Sequence, residues 1–293
     1  MAVRAWCGRT LRQRAPAYDR DVFDAPAIAD WLPIGVPALV LLIIAAGFAG
    51  WIDAVVGGGG LIQLPALVLG VPKDVATPFI LGTNKVSSFA GTLSASWVYL
   101  RRIRVQLVML LPLIAGAYGG STCGAALSRF LPRELLTPIV LVAVVVVTIF
   151  TFAKPQLGLH HEPKHVGRLA IVWRSALIGL LVGFYDGVLG PGTGSFFVIF
   201  IVAVLGYGFL QASVNAKVAN LTTNLAAIVI YGVHGEILLV LGLAMATANI
   251  TGGLIGARMA VSNGNAFVRR VFLVVMVILI ATLAWDVVAT LVL

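Results

Sequence analysis

Charge is scarce in this sequence. Asp, Glu, Lys and Arg make up 11% of its 293 residues, less than half of the roughly 25% found in soluble domains, so an ordinary water-soluble protein is excluded. Cysteine is scarcer still. Cys7 and Cys123 stand far apart with no His or Cys at ligand spacing, which excludes structural zinc, an iron–sulfur cluster and a disulfide framework; no cofactor and no metal is expected. No Ser-His-Asp, Cys-His or paired-carboxylate arrangement rises above chance, so an enzyme is not expected either. The first thirty residues mix Arg4, Arg9, Arg12, Arg14 and Arg20 with Asp19, Asp21, Asp24 and Asp30. They lack the apolar run of roughly 7–15 residues that a secretory signal needs. Residues 1–30 are expected to be a polar tail, read as a solvated extension or an early start codon in preference to a transit peptide.

What fills the chain is apolar: 60% of it is hydrophobic and the mean hydropathy is +1.04. Long apolar runs occupy 33–56, 80–100, 105–127, 134–152, 169–189, 213–233, 236–257 and 267–290, each near the 20 residues of a membrane-spanning helix. Two shorter runs, 61–70 and 195–206, each follow a glycine cluster. The expected fold is an all-α integral membrane protein of about 8–10 hydrophobic segments, crossing the bilayer several times. The net charge of +9 then reports loops that meet anionic lipid, with the bilayer and not nucleic acid as partner. Nothing in the sequence fixes the oligomeric state.

The chain also repeats. Gly50-Trp-Ile-Asp53-Ala-Val-Val-Gly57-Gly58-Gly59-Gly60 and Gly183-Phe-Tyr-Asp186-Gly-Val-Leu-Gly190-Pro191-Gly192-Thr193 share five of eleven positions, where this composition gives roughly one by chance. Further on, Ala76 aligns with Ala212, Asn84 with Asn220 and Ser87 with Thr223. The expected organisation is a first transmembrane repeat over 31–153, a polar linker over 154–168 and a second repeat over 169–293. The linker holds His160, His161, Glu162 and His165, read as a charged surface. If the two short runs are re-entrant there are eight crossings; if they cross, there are ten and the repeats are inverted. Counting basic residues favours eight by a small margin.

Glycine clusters inside membrane spans free backbone amides that lipid cannot satisfy. Gly-interrupted segments in matching positions of two halves point to a transporter's binding site near the bilayer midplane. The candidate substrate-binding residues are therefore Gly57, Gly58, Gly59 and Gly60 with Gly190, Pro191, Gly192, Thr193, Gly194 and Ser195. Half-helices restarting at Leu61 and Ser195 would aim their N-terminal amides at an anion; the plainer alternative is close helix packing through small residues. No Gly-Lys-Ser/Thr ending follows either cluster, so a nucleotide-cradling loop is excluded. Asp53 and Asp186 precede the breaks at identical spacing, and a carboxylate within a span belongs in the protein interior. They either cap freed amides or carry a coupling proton. Lys85 and Lys217 would offer cations from both halves. Asn84 with Ser88 and Thr92, and Lys217 with Asn220 and Asn224, form polar stripes that either orient the anion or hold helices together. His234 and Glu236 flank a short loop and read as solvated.

At these residues the chain resembles the TauE/SafE sulfite exporter family, also called TSUP. The resemblance rests on the glycine motif from Gly47 to Gly60, Leu64-Pro65-Ala66-Leu67 after it, Gly82-Thr-Asn84-Lys85, and the motif from Gly183 to Phe196. It covers the chain from about Gly35 to the C-terminus and leaves the first thirty residues out. It implies a two-repeat helical carrier, multi-pass in the cytoplasmic (inner) membrane, of small sulfur-containing anions such as sulfite or organosulfonates. Residue chemistry points to an anion through the half-helix ends and lysines and does not see sulfur; with the resemblance, the expectation is a secondary carrier working by alternating access. A carrier of another small anion, a membrane-embedded enzyme and a non-transporting accessory protein are the alternatives.

Overall fold

The computed structural model describes residues 34–72, 75–128 and 167–292. The tail 1–30, the apolar run 134–152 and nearly all of the linker, with its histidines, lie outside the described residues. Every described element is helical: α1 (Val36–Val56), α2 (Gly60–Gly70), α3 (Thr77–Arg102) and α4 (Leu107–Ser128), then α5 (Arg168–Val188), α6 (Thr193–Phe200), α7 (Phe209–Val233) and α8 (Leu239–Val292). A π-helical turn, Ile201–Leu205, prolongs α6, and α8 is broken at Gly264.

Among the described residues, five helices are long and apolar enough to cross a membrane: α1, α4, α5, α7 and α8 as far as Val275. Helix α3 is as long, 26 residues or about 39 Å, but its inward side is polar, with Thr83, Asn84, Lys85, Ser87, Thr92 and Ser96 buried. Outward faces are apolar: α1 exposes Val40, Leu41, Ile44 and Phe48, and α5 exposes Leu169, Trp173, Leu177 and Leu181. Polar inside and apolar outside is the inverse of a soluble bundle and suits hydrocarbon as solvent.

Helix directions follow from a few contacts. Helix α2 turns back along α1, because a Cβ on Gly70 would stand 3.1 Å from the Leu42 side chain. Ile34, Leu42, Val71, Ile80, Tyr231 and Leu241 share one cluster, so α1 and α3 both start at the same end of the bundle, here the near end. The opposite, far end is fixed by two bonds between turns. The Tyr207 hydroxyl donates to Gln106 Oε1 at 2.8 Å, and the Leu210 amide donates to Asn265 Oδ1 at 2.7 Å. The half-length α2 and its loop thus return the chain to its starting end before α3 begins. These are the directions expected if the first short segment crosses, not if it is re-entrant. Helix α5 runs parallel to α4 through their facing glycines and so starts at the far end; α1 and α5, which carry the matching glycine motifs, run in opposite directions.

Glycines seat the two closest helix pairs. On α4, Gly116, Gly120 and Gly124 lie four apart against Gly179, Gly183 and Gly187 of α5, where an added Cβ would strike facing backbone. The other half repeats the contact: Gly252 of α8 sits on Gly47 and Trp51 of α1, as Gly120 sits on Leu180 and Phe184. Small residues at this spacing let backbones approach closely enough for dispersion to hold helices together in lipid. In each case a helix of one half grips the first helix of the other, which interlocks the repeats. His234 is exposed as expected; Glu236 is not solvated but buried, its carbonyl packed where a Cβ of Gly82 would fall.

Candidate substrate site

The two glycine breaks meet. Helix α1 ends at Gly57, whose left-handed φ of 87° lets its amide bond back to the Asp53 carbonyl at 2.8 Å, a helix stop that residues with a Cβ adopt at a cost. Across from it lies Gly194, and a Cβ on either glycine would fall on the other's backbone. The Ser195 amide donates to the Gly57 carbonyl at 3.2 Å and its hydroxyl to the Val56 carbonyl at 2.9 Å. Helix α2 restarts at Gly60 and α6 at Thr193, one and two residues earlier than the sequence implies, and neither start has a side-chain cap.

Between the breaks is a small cavity of about 20 Å³, room for about one water molecule. Gly57, Gly60, Gly190, Thr193 and Gly194 line it, together with Asn84, Lys85, Asn220, Asn224, Asp53 and Asp186. Ser88 lines it too. Lys217, Gly58, Gly59, Pro191, Gly192 and Ser195 do not line it; Lys217 is fully buried and bound to Asp53, which does.

The ionised groups are paired across the repeats. Lys85 of the first half donates to Asp186 of the second at 2.7 Å; Lys217 of the second donates to Asp53 of the first at 2.9 Å. Lys85 also donates to the Asp186 carbonyl at 3.0 Å, at the negative end of the α5 dipole. Asp53 accepts a second, longer bond from Thr92 at 3.3 Å, and the Tyr99 hydroxyl donates to the neighbouring Ala54 carbonyl at 2.9 Å. Buried charges persist only when paired and hydrogen-bonded, and here each lysine finds its carboxylate in the other repeat. Asp186 lies near the near-end terminus of α5 and Asp53 near the far-end terminus of α1, so the pairs flank the cavity from opposite sides.

Two amides in the wall each leave a polar atom unused. Asn84 Oδ1 and Asn224 Nδ2 are buried without a hydrogen-bond partner, a state that costs about 1–3 kcal/mol each. A second polar cluster escapes sequence reading: Asn249 of α8 donates to Gln63 Oε1 of α2 at 2.7 Å. Its sequence signal is Gln63, the one amide side chain of α2, and Asn249, which stands 14 residues before the next amide of α8.

A family model described as sulfite exporter TauE/SafE matches residues 42–283. The chain belongs to this family. Its relatives in the TauE/SafE family include the probable membrane transporter protein ORF9 of Sinorhizobium sp, 34% identical over 85% of this chain and 93% of that one. A probable membrane transporter protein of Haemophilus influenzae is 32% identical over 87% and 98%. The probable membrane transporter protein YfcA of Escherichia coli K12 is 29% identical over 85% and 90%. No solved structure matches the chain. This TauE/SafE protein is a membrane transporter and not an enzyme, embedded in several passes in what in bacteria is the inner membrane.

Proposed function

We propose that the protein is a secondary carrier of a small sulfur-containing oxyanion, such as sulfite or an organosulfonate, working by alternating access between its inverted halves. The observation that carries this reading is the convergence on one cavity of two half-helix starts without side-chain caps, Lys85, and the unpartnered Asn84 Oδ1 and Asn224 Nδ2. Helix starts and ammonium groups favour negative charge, and an amide turns either its donor or its acceptor to a ligand. With room for about one water, the cavity suits a closed state, from which the halves part on one side to admit a ligand. Sulfur enters through the family's description alone.

The exposed arginines Arg101, Arg102, Arg104, Arg168, Arg258 and Arg270 gather toward the far end, which we assign to the cytoplasm by the positive-inside rule. A cysteine at Ser262, exposed there, is expected to react with an impermeant thiol reagent only in inside-out vesicles, once Cys7 and Cys123 are replaced by serine.

Thermal stabilisation of the detergent-purified protein tests the anion reading. Sulfite, sulfate, thiosulfate, sulfoacetate, taurine, methanesulfonate and simple carboxylates form the panel. A ligand at 100 times its Kd adds about 2.7 kcal/mol, and a sulfur oxyanion is expected to do so. Stabilisation by carboxylates alone would move the substrate to another anion class; stabilisation by none would remove the anion site.

A further inference from the structure

Formal charges around the cavity cancel, Lys85 and Lys217 against Asp186 and Asp53. Both ammonium groups are already engaged by carboxylates. An anion entering alone would have to displace a carboxylate and leave the site with an uncompensated negative charge, which is costly in a membrane interior. One proton on the displaced carboxylate removes both obstacles. We propose that transport is electroneutral proton–anion symport: the anion replaces an aspartate on its lysine while that aspartate takes up one proton. One proton then travels for each negative charge on the anion. The lysine keeps its own proton throughout, and the carboxyl returns its proton when the anion leaves. This rests on the anion reading above.

Lys85 is built for such an exchange. Its second bond, to the Asp186 backbone carbonyl, holds the ammonium at the cavity wall after the side-chain carboxylate lets go, beside Asn84 on the same helix. At the other pair Asp53 lines the cavity and its side chain is 14% exposed; once protonated it can donate to the Thr92 hydroxyl that now donates to it. No other ionisable side chain intervenes among the described contacts. Asp53 faces Lys217 from α7 and lies near Tyr99 of α3, whereas α8 packs here through Gly252 and Gly256. Asp186 faces Lys85 from α3 and adjoins Tyr185 on α5, and the α4 residues nearest the adjoining Gly187 are Ser121, Gly124 and Ala125.

Proton uptake on binding decides the matter. Methanesulfonate, a monoanion whose charge is fixed near neutral pH, and sulfate, a dianion, are titrated into the purified full chain in weakly buffered detergent, with heat and pH followed together. About one proton per methanesulfonate and about two per sulfate are expected, with methanesulfonate binding weakening tenfold per pH unit in the alkaline range. Asp53→Asn and Asp186→Asn are each expected to take up one proton fewer per sulfate. Binding to the unaltered protein with no proton uptake overturns the coupling and leaves the anion site standing. That arm needs no variant to fold. Binding by neither probe, and by no other anion of the stabilisation panel, overturns the anion reading and the coupling with it.

Discussion

Replacing Lys217 by Met removes one ammonium from a fully buried position while keeping nearly the same length and volume. Asp53 then loses its 2.9 Å partner and retains the 3.3 Å bond from Thr92. Leaving one member of a buried pair without the other costs about 3–5 kcal/mol. Asp53 is not completely enclosed, its side chain being 14% exposed, so the lower figure, about 3 kcal/mol, is expected at neutral pH. Adding Asp53→Asn removes the unpaired charge, and replacing a whole buried pair is commonly neutral or stabilising. The double variant is therefore expected to be at least about 2 kcal/mol more stable than Lys217→Met alone. Unfolding in detergent, followed by denaturant or by heat in a double-mutant cycle, reads both numbers. A single variant as stable as the parent, or a double variant no better than the sum of the singles, would refute the crossed pairing.

Asn224→Ala deletes a buried amide with an unused donor; stability is expected to change by less than about 1 kcal/mol, while ligand-induced stabilisation falls at least tenfold in apparent affinity. Gly57→Ala places a Cβ in a left-handed position at about 1–2 kcal/mol and drives it onto Gly194, so loss of both thermal stability and transport is expected. Gly120→Leu and Gly252→Leu disrupt equivalent contacts in opposite halves; each is expected to lower Tm strongly and to a similar extent, which a melting curve for each variant checks.

Much of this architecture is written locally. Apolar runs near 20 residues mark the helices, and the spacing from Asp53 to Gly57 and from Asp186 to Gly190 marks where the first helix of each half stops, because only a backbone buried in protein tolerates such a break in lipid. The pairing of charges is not written locally. Lys85 and Lys217 fall at non-equivalent places in the repeat, and each meets a carboxylate of the opposite half; only inverted, interlocked repeats bring them together. Direction is equally hidden, since α2 has 11 residues and its return alongside α1 depends on how Gly70 meets Leu42. The inward polarity of α3 lowers its hydropathy, and the reason, a cavity on that side, appears only in three dimensions. Asn249 and Gln63 are isolated in sequence because their partners lie in other helices.

The most direct test of the central claim is flux of radiolabelled sulfite into proteoliposomes holding the purified protein, compared with the Asn84→Ala/Asn224→Ala double variant reconstituted to the same density. Saturable flux in the parent, reduced at least tenfold in a variant that melts like the parent, is the expected result. Flux no greater than in protein-free liposomes, or unchanged in the double variant, would contradict an anion path through the paired glycine breaks.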